Sequence, residues 1–322
     1  MDINISIIIP VYNCDNYLDT CITSVLMQSY SNFEIICIND NSSDNSANIL
    51  KRYSQTDQRV KIFSNNENKG PGYCRNKGLN LAKGKYIFFL DADDWIGPQT
   101  LKILYSRCET NNLDLLMFKY IVFYNNKVDF GFEKYYDMNF MNKFNEKVFC
   151  HWDLNPNEVF NLPVGPCNKL YRKSFLEDNN IRFPEGNLIQ EDNPFFFKVI
   201  TQAERVSILN MYLYVRRRRN NSIMASLGDT MLFSRIYIAE LLVDYFFSNP
   251  QLYDHYKKNL LNLISKHFLN ESYMLINEEF KEEMYVSIQN LYLKFFKKYN
   301  LKDDVIKCTD NNLLVKFQLI ED

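Results

Sequence analysis

Residues 5–40 have the sequence ISIIIPVYNCDNYLDTCITSVLMQSYSNFEIICIND, and their hydrophobic period changes twice. Ile5–Pro10 is a short apolar run rich in β-branched residues, which is typical of a buried strand. Apolar residues then recur at helical spacing over Leu18–Leu26, and Phe33–Ile38 forms a second apolar run. This stretch therefore predicts a strand, a helix and another strand, in that order.

The same alternation continues to about residue 118. Further strands are predicted at Val60–Phe63, Tyr86–Leu90 and Leu113–Phe118, and further helices at Asp44–Tyr53 (capped by Ser43 or Asp44), Gly72–Ala82 and Pro98–Arg107. Strands separated by helices of roughly 10–15 residues indicate an α/β protein with a mostly parallel, doubly wound, Rossmann-like sheet. Ligands of such sheets bind beyond the carboxyl ends of the strands.

Polar loops follow three of the predicted strands. They carry PVYN at 10–13, NDNSSD at 39–44 and DADD at 91–94. DADD is the most informative of these, because carboxylates held so close together repel one another unless a cation offsets their charge. A hard divalent cation, Mn²⁺ or Mg²⁺, prefers oxygen ligands and commonly shares one or two carboxylates with substrate phosphates. The alternative is that Asp93 or Asp94 caps the following helix.

Composition excludes several classes of protein. The chain has 322 residues with a formal net charge of −2, so it lacks the basic surface that nucleic-acid binders usually carry. Its eight cysteines include no CxxC, which favours buried reduced thiols in a reducing compartment. Three histidines without HExxH argue against a zinc hydrolase, and the absence of GxxxxGK[ST] excludes a P-loop. Arg75 stands where a dinucleotide-binding motif would have its third glycine.

The sequence predicts a cytoplasmic, non-spanning protein. MDINISIIIP lacks the basic start and the long apolar region of a signal peptide, and Glu240 and Asp244 interrupt the most apolar stretch, Ile236–Phe247. Peripheral association with the inner face of the cell membrane stays open. It would use the lysines of the C-terminal region, for which a solvated helix face is the alternative: Lys257, Lys258, Lys294, Lys297 and Lys298.

The C-terminal part of the chain has a different character. Residues 121–165 are irregular and aromatic, whereas Met231–Phe247, Tyr256–Leu275 and Glu278–Tyr299 are long, poor in glycine and apolar at helical spacing. We therefore predict a catalytic domain over residues 1–225 and a helical C-terminal region over 226–322.

Four motifs in order give the first part of the chain a family resemblance. SIIIPVYN, INDNSSD, NKGPGYCRNKG and FFLDADDW resemble the glycosyltransferases of family 2, which have the GT-A fold. NKLYRKSFLEDNNIRFPEG (168–186), EDNPFF (191–196) and YVRRRRNNS (214–222) resemble the subgroup that builds bacterial or archaeal surface polysaccharides. No motif in the helical C-terminal region matches.

The resemblance implies roles for residues near the nucleotide. Pro10, Val11, Tyr12 and Asn13 match the loop that cradles the base, with Tyr12 stacking on it. Asp40 matches the acid that accepts a hydrogen bond from a uracil-type base, although a turn or cap residue is the alternative. Arg75 matches a basic residue near the nucleotide diphosphate, with an exposed helix arginine as the alternative.

The resemblance also implies how the donor and metal are held. Asp91 and Ala92 match positions on the nucleotide-sugar side of the DxD motif, Asp93 matches the direct metal ligand and Asp91 a second one. Asp94 is left as a local cap or a support for the other two.

Glu191 and Asp192 match the family's acidic pair, and Asp192 is the implied catalytic base. An inverting transfer needs a carboxylate that takes the proton of the acceptor hydroxyl. The alternative is that the two acids only favour the dipole of a helix starting at Asn193-Pro194. For Arg216–Arg219 three roles stay open: clamping the diphosphate or acceptor through Arg217 and Arg218, meeting an anionic lipid surface, or being solvated. Ser222 completes that motif.

Together these observations predict a metal-dependent inverting glycosyltransferase. It would move a sugar from a nucleoside diphosphate, most simply UDP, to a hydroxyl of a surface glycan or a lipid-linked acceptor. Nucleic acid is not an expected partner, and no oligomeric state is predicted. The alternatives are a nucleotidyltransferase and a non-catalytic nucleotide-sugar-binding protein on the same fold.

Overall fold

The computed structural model describes the chain in five stretches: residues 3–124, 127–129, 138–186, 188–218 and 228–319. The described residues fall into two compact units. The first lies within Met1–Asn187 and Phe195–Asn220, and the second within Leu188–Pro194 and Asn221–Asp322.

The described residues of the first unit form a nine-stranded sheet. In chain order the strands are β1 (Ile5–Val11), β2 (Phe33–Asn39), β3 (Val60–Ser64), β4 (Tyr86–Phe89), β5 (Trp95–Ile96), β6 (Leu115–Tyr124), β7 (Lys127–Asp129), β8 (Lys169–Arg172) and β9 (Val206–Arg217). The helices are α1 (Asp15–Leu26), α2 (Ser46–Thr56), α3 (Gly70–Leu81), α4 (Thr100–Asn111), α5 (Pro156–Phe160), α6 (Lys173–Asp178) and α7 (Asp192–Gln202), of which α7 begins within the second unit.

The strand order is β3-β2-β1-β4-β8-β6-β9-β5, with β7 paired to β6. β3, β2, β1 and β4 are parallel neighbours, as are β6 and β9, whereas β8 is antiparallel to both β4 and β6. This arrangement confirms the predicted α/β class and the mostly parallel sheet. It adds antiparallel strands, β5, β7 and β8, to the predicted set.

The central strands are buried on both faces, as expected for parallel strands covered by helices. Close packing explains two glycines beside β1. A Cβ on Gly78 of α3 would lie 2.3 Å from Cγ2 of Ile8, and one on Gly84 would lie 2.4 Å from the backbone N of Ser6. Glycine is therefore required at both positions, because anything larger would push the neighbouring element away from β1.

Three helix starts differ from the sequence prediction. α3 begins at Gly70, two residues before the predicted Gly72. α2 begins at Ser46 with Asn45 as its N-cap, although Asp44 still accepts the Ser46 N–H at 3.0 Å. α4 begins at Thr100 with Gln99 as its N-cap and no side-chain cap. The alternative that Asp93 or Asp94 caps this helix is therefore excluded, since β5 separates them from it.

The second unit is helical. Its helices are α8 (Asp229–Phe247), α9 (Pro250–Asn262), a π-helical stretch (Leu263–Asn270) that leads into α10 (Glu271–Leu275), α11 (Lys281–Tyr299), α12 (Lys302–Cys308) and α13 (Asn311–Lys316). This confirms the predicted helical C-terminal region, and the predicted helix over Tyr256–Leu275 combines α and π geometry. Across the described ranges, no helix has the length and apolar character needed to cross a membrane.

Leu188–Pro194 joins this unit through backbone and side-chain contacts. The backbone N–H of Ile189 donates to the Ser234 hydroxyl of α8 at 3.1 Å, and that hydroxyl donates to the carbonyl of Met231 at 2.7 Å. Ile189 is itself buried. The segment carrying Glu191 and Asp192 is therefore fixed by α8.

Candidate functional site

The carboxyl ends of β1, β2 and β4 bring the three polar loops together. Val11 pairs with Asn39 in the parallel register, and the Asp40 N–H continues the ladder by donating to the Val11 carbonyl at 2.8 Å. On the other side of β1, the Leu90 N–H donates to the Ile8 carbonyl at 3.0 Å. The predicted site edge is therefore continuous from the first loop to the acidic cluster.

The first loop is held in place by the second. Asn13 has a left-handed backbone (φ 49), and its side-chain oxygen accepts the Ser43 N–H at 2.9 Å. The Asn13 N–H donates to the Ser42 hydroxyl at 3.2 Å. Tyr12 projects from this fixed loop with 44% of its surface exposed, so its ring is accessible to a planar ligand. Pro10 is partly exposed, and Val11 is buried.

Asp40 caps α3 from a neighbouring strand. Its buried carboxylate accepts the N–H groups of Lys69 (3.0 Å) and Gly70 (2.8 Å) and the side-chain amide of Asn65 (2.7 Å). The cap alternative for Asp40 is therefore what the structure shows. The Lys69 N–H also donates to the second oxygen at 3.1 Å, so each oxygen of Asp40 accepts two hydrogen bonds and the ordinary capacity of about four is used.

Arg75 is buried, with an exposed fraction of 6%, so the alternative of an exposed helix arginine is wrong. A terminal nitrogen of its guanidinium donates to the Asp91 carboxylate at 3.1 Å. The guanidinium also lies 5.3 Å from the centre of the Phe183 ring. Because a buried arginine keeps its charge, it places a fixed positive charge beside the acidic cluster.

The three acids of DADD have different environments. Asp94 is buried and accepts the Tyr214 hydroxyl at 2.5 Å and the Arg217 N–H at 2.6 Å. Burial, followed by the charges of Asp93 and Asp91, raises the pKa of Asp94 well above its usual value. Asp91 and Asp93 are half-exposed at the carboxyl end of the strand, with the buried Ala92 between them. Asp94 is thus a structural support for the two acids that meet solvent.

Arg217 braces the turn that carries Asp93. Its Nε donates to the Asp93 carbonyl at 3.0 Å. The guanidinium lies among the rings of Tyr17, Trp95 and Phe123, at 5.1, 4.7 and 5.3 Å from their centres. These contacts explain the position of the Arg217 side chain, and no bound diphosphate is needed to explain it.

The other basic residues of the same run differ. The Arg218 N–H donates to the Phe123 carbonyl at 2.9 Å, which extends β9 beside β6. Arg219 and Ser222 lie outside the described residues.

The acidic cluster fits a divalent cation shared with a substrate. Among the residues that the structure describes, no group of three His, Cys, Asp or Glu side chains forms a metal cage. Asp91 and Asp93 provide two half-exposed carboxylates beside a buried third. That donor set suits Mg²⁺ or Mn²⁺, which commonly takes one or two carboxylates and completes its shell with phosphate and water oxygens.

Glu191 and Asp192 lie in the second unit, at the start of α7. Asp192 is the first residue of that helix, and Glu191 precedes it and is buried. Gln190 has a left-handed backbone (φ 63), which turns the chain into the helix. An acid at this position also favours the helix dipole, so the geometry fits both interpretations given above.

Sequence reasoning missed two supports of the site. Tyr214 and Asn65 hold Asp94 and Asp40, respectively. Tyr214 lies on β9, which was not among the predicted strands, and no local pattern connects it with residue 94. Asn65 stands in NNENKGPG, which was expected to be a loop; the structure confirms this for residues 65–69, while Gly70–Gly72 belongs to α3. The partner of Asn65 could only be identified from the sheet order.

Comparison with known proteins gives consistent results. Glycosyl transferase family 2 matches residues 6–178. The chain is 34% identical over 232 residues to "Glycosyltransferase GlyA" of Streptococcus pneumoniae, covering 69% of this chain but 32% of GlyA. It is 31% identical over 278 residues to "Putative glycosyltransferase EpsH" of Bacillus subtilis, covering 85% of this chain and 77% of EpsH.

Among solved structures, S. aureus TarS 1–349 in complex with UDP-GlcNAc superposes with a TM-score of 0.70 at 23% identity. The match covers 90% of this chain and 80% of that one. At this level of identity the likeness concerns the fold, which is GT-A with a helical C-terminal region.

Proposed function

Since this chain belongs to glycosyl transferase family 2, we propose that it transfers a sugar from a UDP-sugar to a hydroxyl of a surface glycan or a lipid-linked acceptor. The observation that carries the proposal is the site edge. Tyr12, Asp91 and Asp93 follow the carboxyl ends of the neighbouring parallel strands β1 and β4, and the guanidinium of Arg75 on α3 contacts Asp91 there. Related proteins whose names give poly(ribitol-phosphate) as the acceptor support a polymeric acceptor. One is the poly(ribitol-phosphate) β-glucosyltransferase of Bacillus spizizenii, 32% identical over 213 residues.

The residues of the site have distinct proposed roles. The exposed ring of Tyr12 stacks on the uracil, and Asp40 accepts the base N–H in place of the longer of its two bonds from the Lys69 N–H. Asp91 lies toward the ribose and the sugar, held by Arg75. Arg75 supplies a fixed positive charge near the diphosphate. Such prearranged charges assist the departure of UDP, because they need no reorganisation as negative charge develops.

We propose that Asp93, assisted by Asp91, holds Mn²⁺ or Mg²⁺ with the donor bound. The cation would supply charge neutralisation for the leaving diphosphate. Asp192 is proposed as the base that takes the proton of the acceptor hydroxyl, which gives inversion in a single displacement. Glu191, buried beside it, supports its position. The proposed location is cytoplasmic, with peripheral attachment to the membrane where a lipid-linked acceptor would be met.

A thermal-shift panel tests the proposal. With Mn²⁺ present, UDP is expected to raise the unfolding midpoint more than GDP or CDP. Stacking on Tyr12 suits a single-ring base better than guanine, and Asp40 can accept the N3–H that uracil has and cytosine lacks. Release of UDP, without pyrophosphate, from UDP-glucose, UDP-galactose or UDP-GlcNAc distinguishes sugar transfer from nucleotidyl transfer. The proposal fails if no nucleoside diphosphate stabilises the protein in the presence of either metal.

Two substitutions separate an enzyme from a binding protein. Asp192→Ala is expected to keep UDP-induced stabilisation and to lose turnover, because it removes a base that does not contact the nucleotide. Asp93→Ala is expected to lose turnover together with the metal dependence of UDP binding. A binding protein would show no UDP release from any of the three donors in the unsubstituted chain.

A further inference from the structure

A loop outside the matched nucleotide motifs lies at the same sheet edge. This segment, Pro163–Asn168, is named the Gly165 loop here and leads directly into β8. In the antiparallel pairing of β4 with β8, Phe88 lies opposite Leu170. Continuing that register past the end of β4 brings Cys167 beside Asp91. The Gly165 loop therefore borders the acidic cluster.

Lys169 fixes the Gly165 loop from inside the protein. Its side chain is fully buried, and its ammonium donates to the carbonyls of Pro163 (2.6 Å) and Gly165 (2.5 Å) and to the side-chain oxygen of Asn168 (2.8 Å). An ammonium has three donors, and these oxygens satisfy all of them. Because burying a charge is costly unless it is compensated in this way, the arrangement holds the loop in one conformation.

Further contacts tie the same loop to the sheet. The Asn168 amide donates to the Phe118 carbonyl at 3.0 Å, and the Tyr171 hydroxyl donates to the Pro166 carbonyl at 3.1 Å. Burial, and then the charge of Asp91, raise the pKa of the Cys167 thiol, in keeping with its place beside the cluster. The Gly165 loop is thus as firmly supported as a core element.

Gly165 differs from the glycines that packing requires. Its backbone (φ −52, ψ 141) is one that any residue adopts, and a Cβ built on it meets no atom of the described part of the chain within 4 Å. By contrast, a Cβ on Gly78 or Gly84 would collide with β1. Neither backbone conformation nor neighbouring atoms explain a glycine at 165, so its surface is open on a rigid loop beside the site.

We propose that the Gly165 loop forms one wall of the sugar-binding region and that a sugar ring approaches the backbone at Gly165. This inference rests on the proposed function. Glycine permits a ligand to come close to the backbone where a Cβ would intervene. Since Lys169 prevents the loop from retreating, any added side chain collides with the sugar and not with the protein. The sugar ring belongs either to the donor or to the acceptor, and the experiment separates the two.

Gly165→Ala and Gly165→Val test the assignment, with Gly97→Ala as a matched control. A Cβ on Gly97 meets only the Thr100 hydroxyl oxygen, at 3.6 Å, which is ordinary contact. All three variants are expected to keep the unfolding midpoint and the UDP-induced stabilisation of the unsubstituted protein. UDP release is then measured from UDP-glucose, UDP-galactose and UDP-GlcNAc, with and without a high concentration of free glucose or N-acetylglucosamine as acceptor.

Gly165→Val is expected to lower turnover at least tenfold and Gly165→Ala less, whereas Gly97→Ala stays at the unsubstituted rate. Loss of UDP release without acceptor assigns the loop to the donor sugar. Loss confined to acceptor-stimulated release assigns it to the acceptor. Unchanged turnover in both Gly165 variants overturns the inference and leaves the proposed function intact. If the unsubstituted protein neither binds UDP nor releases it, the proposed function fails, and the inference fails with it.

Discussion

Adjacent carboxylates of the acidic cluster contribute to different properties of the protein. Asp93 is half-exposed at the end of a strand, whereas Asp94 is buried and accepts two hydrogen bonds from β9. The crowding of three carboxylates at a strand end is visible in the sequence alone. The division of tasks between the acids depends on β9, whose residues are more than a hundred positions away.

We expect Asp93→Asn to lower turnover and Asp94→Ala to lower stability. Asp93→Asn should lower turnover at least about 100-fold with little change in the free energy of unfolding, because it removes a solvent-facing charge. Asp94→Ala should lower the free energy of unfolding by about 1–3 kcal/mol, because the Tyr214 hydroxyl and the Arg217 N–H lose their acceptor. Urea unfolding and UDP-release assays measure the two quantities. Equal stability losses in both variants would contradict this division.

Arg217 allows a test between a brace and a diphosphate clamp. Arg217→Lys keeps the charge but loses the planar group that lies among three aromatic rings. We expect the free energy of unfolding to fall by about 1–2 kcal/mol and the KM for the UDP-sugar to change little. A large rise in KM at unchanged stability would instead show that Arg217 holds the diphosphate. Arg52→Lys, at an exposed arginine of α2, is the control.

The positions of individual residues were predicted best where the residues directly follow a predicted strand. The placement of Pro10–Asn13, Asp40 and the acidic cluster at one edge followed from the strand pattern. The burial of Arg75 did not follow, because a helix arginine is usually exposed and its partner Asp91 and ring neighbour Phe183 lie on other elements. The type of a residue indicates what it can bind, whereas the order of the strands in the sheet determines which residues it contacts.

At the scale of elements, α3 packs closely on β1 because Gly78 has no side chain. We expect Gly78→Ala to lower the free energy of unfolding by about 1–3 kcal/mol, because the new Cβ would lie 2.3 Å from Cγ2 of Ile8. Gly84→Ala should cost more, since the colliding atom belongs to the backbone of Ser6 and cannot rotate away. Denaturant midpoints measure both changes. Gly97→Ala, expected to be neutral, is the reference, and comparable stability of all three would refute the packing argument.

Glu34 links three parallel strands at the opposite end of the sheet. Its buried carboxylate accepts the Ser6 hydroxyl and the Lys83 N–H, both at 2.7 Å, and pairs with Lys61 of β3. Burial alone would raise its pKa, but the hydrogen bonds from Lys61, Ser6 and Lys83 lower it below the usual value. The carboxylate form therefore stabilises the folded state above the unfolded-state pKa of about 4.3, and that contribution is lost as pH falls.

Glu34→Gln is expected to lower the free energy of unfolding by about 1–3 kcal/mol at pH 7 and by less near pH 3. The acid side of the stability curve should accordingly become shallower in the variant. Urea unfolding between pH 3 and pH 7 measures this. A destabilisation that stays constant over that range would show that the charge of Glu34 contributes nothing.

Elements with a clear period were predicted, and those that depend on distant pairing were not. β1 to β4 follow from apolar runs between helices, and the structure places them in that order of alternation. β8 is a four-residue strand within KLYR, and β5 has two residues, so neither presents a period long enough to recognise. Both exist because β4, β6 and β9 offer them partners.

At the scale of the molecule, the chain crosses between its two units more than once. Leu188–Pro194 belongs with the helices that follow residue 220, although the residues on either side of it belong to the first unit. Composition marked the change to helices near residue 226 but gave no sign of this crossing. The segment is short, and the unit with which it packs depends on contacts such as that of Ile189 with Ser234, which no local pattern reveals.

We expect Ser234→Ala to lower turnover without weakening UDP binding. The substitution removes the hydroxyl that accepts the Ile189 N–H, so the segment carrying Asp192 loses a contact that positions it. A drop of about tenfold in kcat is expected, with the UDP-induced thermal shift unchanged. Ser248→Ala, at the end of α8, removes a hydroxyl that bonds within its own helix and serves as the control. Equal kcat values in the two variants would exclude the positioning role.

The crossing at Leu188–Pro194 also has a consequence during protein synthesis. Ile189 leaves the ribosome before its partner Ser234, so the segment with the proposed base cannot reach its final environment until α8 has emerged. A nascent chain can pair β1 to β4 well before that point, whereas the acidic cluster waits for Tyr214 and Arg217 of β9. Pairing of the parallel strands, support of the acidic cluster and fixing of Leu188–Pro194 would thus be acquired in succession on the growing polypeptide.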